Sequence, residues 1–209
     1  IVDVVLQFEG DNNNAYRLLR SIKNRFGATF EIGVFEMRAE GLVEVNNPSE
    51  ILLSHYDEPL SGIAVGTAAY GTPQRSATGF DSRRLNMLLA VLEKRAGLKM
   101  YQKDVFLNFA GGFRISDTGL DLSVVAAVLS SYFDRPVGED TCFAGEIGLS
   151  GEIRPAPRSE QRISEAARLG FGRIVVSGYL RKSLPKPPGG IRIAYVNKIE
   201  EMARAVFGA

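Results

Sequence analysis

Three stretches of this chain carry side chains that could do chemistry. The run Lys23-Asn24-Arg25-Phe26-Gly27 sets two cations beside an amide. Lysine and arginine donate charge-assisted hydrogen bonds to phosphate oxygens, so the cluster could grip a phosphate. From the residues alone the simpler reading is a helix end, with cations favourable there and Gly27 as the cap. Arg75, in GTPQRSATGFD, and then Arg83 and Arg84 open the densest basic region, where residues 71–103 hold seven cations against Asp81 and Glu93. A guanidinium on such a loop could meet a nucleic-acid phosphate together with the backbone, independently of base sequence. For Lys94, Arg95, Lys99 and Lys103 a solvated helix face accounts for the charge. The third stretch, Gly145 to Gly170, reads as a hairpin (GEIGLSGEI), a Pro155–Pro157 break and a helix (SEQRISEAARLG). A hairpin feeding a helix can aim side chains at one spot.

Composition removes several classes of function. The 209 residues are 45% hydrophobic, enough for one large core or two modest ones. No apolar run approaches a bilayer span, and no signal-peptide pattern opens the chain, so no membrane partner is expected. One cysteine, Cys142, excludes an internal disulfide framework and fits a reducing, cytoplasmic setting. One Cys and one His also argue against an intrinsic metal site. His55, in the polar SHYDE stretch, reads as a solvated surface residue and leaves no Ser-His-Asp triad to build. The net charge of +1 hides an acidic head, with 5 Lys/Arg against 10 Asp/Glu in residues 1–59, and a basic body, with 20 against 14 in residues 60–209. The basic body suits a polyanionic partner, although ordinary solvated surface accounts for it as well.

The elements that must position these residues follow from patterning. IVDVVLQFEG reads as a strand, and DNNNAYRLLRSIKNRFG as a capped helix with Tyr16, Leu19 and Ile22 on one face. EIGVFEMR and GLVEV form a hairpin about Ala39-Glu40-Gly41, and NNPSEILL a short helical linker. LSGIAVGT is a strand, AAYGTPQRSATGFD a loop, and SRRLNMLLAVLEKRAG a helix with Leu85, Leu88, Leu89 and Leu92 in register and Gly97 at its end. DVFLNFAGGF turns Val105, Leu107 and Phe109 inward and breaks at Gly111-Gly112. A helix starts near Gly119, with Asp117 and Asp121 around its start as caps. Ser159 is the expected N-cap of the next helix, and Gly170 its C′ residue. RIVVS and IRIAYV are strands about the basic, Pro-rich loop YLRKSLPKPPGG, and NKIEEMARAVFG is a terminal helix. Strand pairs alternating with helices predict an α/β, two-layer α+β sandwich of mixed sheet, not a doubly wound one.

KNRFG, followed by the EIGVFEM hairpin and GLVEVNNPSE, resembles the bacterial RadA/Sms family of DNA-repair ATPases, in which KNRFG marks the end of the RecA-like ATPase core. The resemblance covers essentially the whole chain. It implies that Lys23 and Arg25, with Asn24, Phe26 and Gly27, face a neighbouring subunit's nucleotide or bound DNA. This sequence has neither the G-x-x-x-x-G-K-[ST] phosphate loop nor the C-x-x-C zinc motif of that family. The chain therefore reads as a C-terminal fragment: residues 1–53 the end of the ATPase core with its linker, 54–209 a second domain. Against the family pattern, strand sequence is missing near residues 66–69, by deletion or because a hairpin is absent from the sequence as given.

The second domain resembles the Lon proteolytic domain, a fold of the ribosomal-protein-S5-domain-2 type. The shared pieces are an Asp-containing loop before a small-residue helix, the GEI-x-L-x-GE-[IV]-x-P hairpin, and a helix ending Ala-Ala-x-x-x-Gly before a strand. Active Lon enzymes use a Ser opening the first helix and a desolvated Lys in the second. Here SDTGLDLS stands at the loop, so the nucleophile position falls on Leu120 and the base position on Glu160. Ser116 and Ser123 flank the first position, but only Arg158 and Arg162 lie near the second, and arginine does not act as a base at neutral pH.

By resemblance, the intact protein hydrolyses ATP with Mg²⁺ and migrates branched recombination intermediates as a hexameric ring on single-stranded or branched DNA. This fragment alone is expected to bind no cofactor and to be inactive as ATPase and peptidase. It would serve ring assembly and DNA contact through Arg75, Arg83 and Arg84. The competing readings are an ATP-dependent Lon-like serine protease and a pure oligomerisation scaffold.

Overall fold

The computed structural model describes residues 2–9, 16–29, 32–45, 62–68, 71–109, 115–184 and 190–208. The chain divides into two compact units, Ile1–Pro59 with Phe109–Arg114, and Leu60–Asn108 with Ile115–Ala209. The NNPSEILL linker, the expected boundary at 53/54, His55 and the Gly111-Gly112 break lie outside the described residues.

In the first unit four antiparallel strands, β1 (Val4–Glu9), β2 (Tyr16–Asn24), β3 (Ile32–Arg38) and β4 (Gly41–Glu44), lie in sequence order in one sheet. The β3–β4 hairpin turns at Gly41, whose φ of 116° suits glycine. The helix expected over DNNNAYRLLRSIKNRFG is corrected: its described part is strand β2. YRLLRSIKN carries apolar residues at spacings that fit either period, and long-range pairing decides. β2 is bonded on both sides, Leu18 opposite Val34 and Glu9, and Leu19 opposite Gly33 and Phe8. β1, an edge strand, is exposed from Val4 to Phe8, and its ladder shifts register between Val5 and Leu6.

The second unit holds the large core. β5 (Ile63–Thr67) runs antiparallel, and β6 (Arg75–Thr78) parallel, to the central β7 (Lys103–Asn108). β6 falls where a loop was expected, and it forms because its edge pairs with β7 from Val105 to Asn108. Between β6 and β7 runs helix α1 (Ser82–Ala96), N-capped by the Asp81 carboxylate, which accepts from Arg84 N–H, and ended by Gly97 at φ 70°. Its leucine stripe, Leu85, Leu88, Leu89 and Leu92, is buried as the 3.6-residue period requires.

A 3-10 turn, Thr118–Leu120, leads into α2 (Asp121–Phe133). β8 (Thr141–Ala144), which patterning did not single out, precedes the short β9 (Glu146–Ile147) and β10 (Ile153–Arg154), the expected GEI hairpin. Its two turn glycines act differently. Gly151 sits at φ 78°, whereas a Cβ on Gly148 would overlap the Glu152 carboxylate.

α3 (Ser159–Arg168) follows, then β11 (Arg173–Ser177), β12 (Arg192–Val196) and α4 (Ile199–Phe207). The N-cap expected at Ser159 is corrected: Arg158 holds that place at φ 55°, and the buried Ser159 hydroxyl donates to Ala156 O at 2.6 Å. Gly170, at φ 85°, follows the C-cap as expected. β8 and β12 flank β11 in a parallel sheet. One face packs α3 through Ala144, Ile163, Ala166, Ile174 and Val176. The unit is thus mixed α/β, and among the described residues no helix is long and apolar enough to cross a membrane.

Leu89 is 0% exposed at the centre of α1. Leu89→Ala should lower unfolding free energy by about 2–5 kcal/mol, read from urea denaturation followed by circular dichroism.

Candidate functional site

The turn Thr118–Leu120 and the N-terminal half of α3 pack together. A Cβ on Gly119 would lie 2.9 Å from Ala156 Cβ and 3.3 Å from Arg162 Cζ, so only glycine lets the segments approach this closely. Leu120, half-buried, ends the turn, and Glu160, exposed, is the second residue of α3. The positions aligned with a Ser-Lys dyad therefore sit on adjoining elements, where Leu120 carries no nucleophile and Glu160 no amine.

Ion pairs occupy the surrounding ground. Asp117 accepts from Gly119 N–H at 2.8 Å, capping the turn, and is paired with Arg162 of α3. Arg162 also donates through Nε to Pro157 O at 2.8 Å. Asp121, the first residue of α2, is 0% exposed and accepts three hydrogen bonds: two from Arg84 of α1, through Nε at 2.6 Å and through Nη2, and one from Ile147 N–H at 3.0 Å. Glu146 stands 3.9 Å from Arg84 and accepts from Thr118 Oγ1 at 2.8 Å. The hydrogen bond to Asp121 raises the Arg84 pKa above its ordinary value despite partial burial. α1, the turn, α2, β9 and α3 are thus tied together by charge.

Beside α3 lies an open pocket of about 410 Å³ lined by Cys142, Phe143, Arg158, Gln161, Arg162 and Glu165, among others. Burial pushes the Cys142 thiol up to about 11, so it stays protonated at neutral pH and offers no thiolate. Cys142 Sγ donates instead to Arg173 O at 3.6 Å.

The basic residues separate into two kinds. Arg84, aligned by sequence with a nucleic-acid face, turns inward to Asp121, which itself does more than cap a helix start. Sequence held one sign of this pair: Asp121 precedes Val125 by four residues and Val128 by seven, on the face of α2 that is buried. Arg83, one residue earlier, is exposed. Arg75 is also exposed, on the edge strand β6 and not on a loop, with Nη2 3.4 Å from Met100 O.

KNRFG lies in the first unit at the end of a strand, which corrects the helix end expected there. Asn24 closes β2 and its side chain shapes the turn, accepting from Phe26 N–H at 3.0 Å and donating to Ala28 O at 3.3 Å. Lys23 Nζ donates to Val2 O at 2.6 Å, and Arg25 pairs with Asp3 at 3.0 Å. The Phe26 ring is 77% exposed, and a Cβ on Gly27 would lie 3.2 Å from Asn24 Nδ2. The motif is therefore a tight turn that presents two cations and an aromatic ring outward.

Residues 66–178 match the family model described as Subunit ChlI of Mg-chelatase. Along its whole length the chain is 41% identical, over 226 aligned positions, to the DNA repair protein RadA of Bacillus subtilis, covering 49% of that protein. It is 42% identical to the DNA repair protein RadA of Streptococcus pneumoniae, with 99% of the chain aligned to 53% of that protein. Against the DNA repair protein RadA of Listeria monocytogenes it is 46% identical, with 84% of the chain aligned to 42% of the relative. The chain thus spans about half the length of the curated relatives it matches. The B. subtilis alignment is longer than the 209 residues it covers, so that relative holds residues with no counterpart here.

Removing the Arg84 head group strands a buried carboxylate. Arg84→Ala should therefore cost about 3–5 kcal/mol of unfolding free energy, measured by denaturant titration, whereas Arg83→Ala should leave stability nearly unchanged. Glu152, on the hairpin, accepts from its own backbone amide, from Arg154 and from Ser150 N–H, and its carboxyl is held below the usual range. A lowered folded value means a contribution complete above the unfolded value of about 4.3 and lost as pH falls through the folded one. Glu152→Gln should flatten the drop in melting temperature below about pH 4.3.

Proposed function

The chain belongs to the RadA family of DNA repair proteins, and from that premise we propose that it is part of a DNA-dependent ATPase acting in recombination and repair, where it drives branch migration. In this reading the second unit is a Lon-like domain, of the ribosomal-protein-S5-domain-2 type, without peptidase activity. The first unit is the end of a RecA-like sheet. The observation that carries the reading is the ground between Leu120 and Glu160, where Asp117–Arg162 and Arg84–Asp121 pairs stand in place of a nucleophile and a desolvated base. An arginine ion-paired to aspartate cannot take a serine proton at neutral pH. The Lon-like protease alternative would need a lysine where Glu160 stands.

The domain then serves assembly of a hexameric ring and contact with DNA phosphates. Arg75 and Arg83, both exposed, make that contact independently of sequence. Arg84 drops out of the set, since its guanidinium is bidentate to Asp121. Lys23 and Arg25, presented by the KNRFG turn, couple the nucleotide of a neighbouring subunit to DNA. ATP and Mg²⁺ do not fit this chain's own residues. The sequence has no phosphate loop, and among the described residues no three His, Cys, Asp or Glu side chains could hold a metal. Both would be held by the remainder of a full-length protein. We place the relatives' extra residues near Gly66–Ala69, between β5 and β6.

Charge reversal at Arg75 and Arg83 together should weaken DNA binding and lower the salt slope by about 0.7–0.9 for each phosphate no longer neutralised, measured by fluorescence anisotropy across a salt series. An unchanged slope with assembly intact would favour the pure scaffold. Casein cleavage sensitive to a serine-directed inhibitor would restore the protease reading.

A further inference from the structure

The stretch YLRKSLPKPPGG is basic and Pro-rich, and neither the Arg75–Arg83 face nor the KNRFG turn accounts for it. Its start folds as a five-residue 3-10 turn, Gly178–Lys182, at the C-terminal end of β11. The turn is fixed from beneath. Ser177, 0% exposed, donates through Oγ to Ile153 O at 2.6 Å and accepts from Tyr179 N–H at 3.4 Å. Gly178 lies so close to Asn197 that a Cβ would overlap its side chain. Leu180 and Leu184 pack against the core cluster of Ile163, Ile174 and Val176.

With those residues anchored, the remaining side chains face outward. The Tyr179 ring is 67% exposed. Residues three apart eclipse in a 3-10 helix, so Lys182 stands on the same face as Tyr179. The Arg181 guanidinium rests 5.1 Å from the centroid of the Tyr195 ring, a cation–π contact that holds an exposed cation in a fixed place. Neither Arg181 nor Lys182 forms an ion pair among the described residues. An aromatic face in water with one unneutralised cation, Lys182, on its own side and a second, Arg181, held on the neighbouring Tyr195 ring complements a polymer that offers bare ring faces and phosphates in alternation. Duplex DNA keeps its base faces stacked inside; a single strand exposes them.

We propose that the Gly178–Lys182 turn is a base-stacking platform for single-stranded DNA, with Tyr179 taking a base face and Arg181 and Lys182 the adjoining phosphates. The inference rests on the DNA-binding reading above and adds a site to it, one that takes single strands over duplex. It is tested with the 209-residue chain by fluorescence anisotropy on a labelled thymidine oligonucleotide and on a duplex of equal length. Tyr179→Ala should weaken single-strand binding by about fivefold or more, the effect of removing one stacked base, and leave duplex binding unchanged. Tyr179→Phe should retain single-strand binding, because the ring and not the hydroxyl makes the stack. Lys182→Gln should lower the single-strand salt slope by about 0.7. Equal weakening on both DNAs, or none with Tyr179→Ala while the unsubstituted chain binds, would overturn the platform alone. So would a change of oligomeric state without a change in DNA affinity, which would mark the turn as a subunit contact. If the unsubstituted chain binds neither DNA, the inference and the DNA reading beneath it fall together.

Discussion

The bidentate pair between Arg84 and Asp121 is the constraint on which the second unit's arrangement depends. A carboxylate with no exposed surface is costly unless every lone pair is engaged, and Asp121 is engaged by Arg84 from α1 and by Ile147 N–H from β9. One side chain at the start of α2 thereby fixes the register of a helix and of a hairpin strand. An apolar trio in the same space could pack as tightly, but it would not specify which of several slides of α1 along α2 is native. That α1 has no acidic residue in its first turn other than its cap, Asp81, leaves Arg84 free of a competing partner there.

The same charges set the electrostatics of the ground near Leu120. A Ser-Lys centre needs a lysine that gives up its proton, which requires a dry setting with few counter-charges. Asp121 and Glu146 do the opposite at Arg84, since each favours its protonated state.

Much of this architecture was legible in the chain because local pattern and fold agree there. The Leu85–Leu92 stripe, the GEI hairpin and the Gly97 and Gly170 stops all read directly, each being enforced by its own neighbours. Two things were not. β2 has apolar spacings compatible with helix or strand, and only pairing with β1 and β3 selects the strand. The Arg84–Asp121 contact joins residues 37 apart, so each end has an adequate local explanation, a basic face and a helix start, and nothing in the spacing links them. The pieces of the candidate site were visible; its electrostatic closure required the third dimension.

Among the described residues β1 closes one side of its sheet, and that bears on how the molecule behaves in concentrated solution. β1 is an edge strand bearing exposed Val4, Val5, Leu6 and Phe8, with no lysine or proline along it to discourage a second strand from pairing. Between Val5 and Leu6 the pairing skips Ile22 of β2, so the extra residue belongs to the inner strand and not to the edge. The open edge of β1 is thus a template for a further strand, whether from a neighbouring copy or from elsewhere in a longer chain.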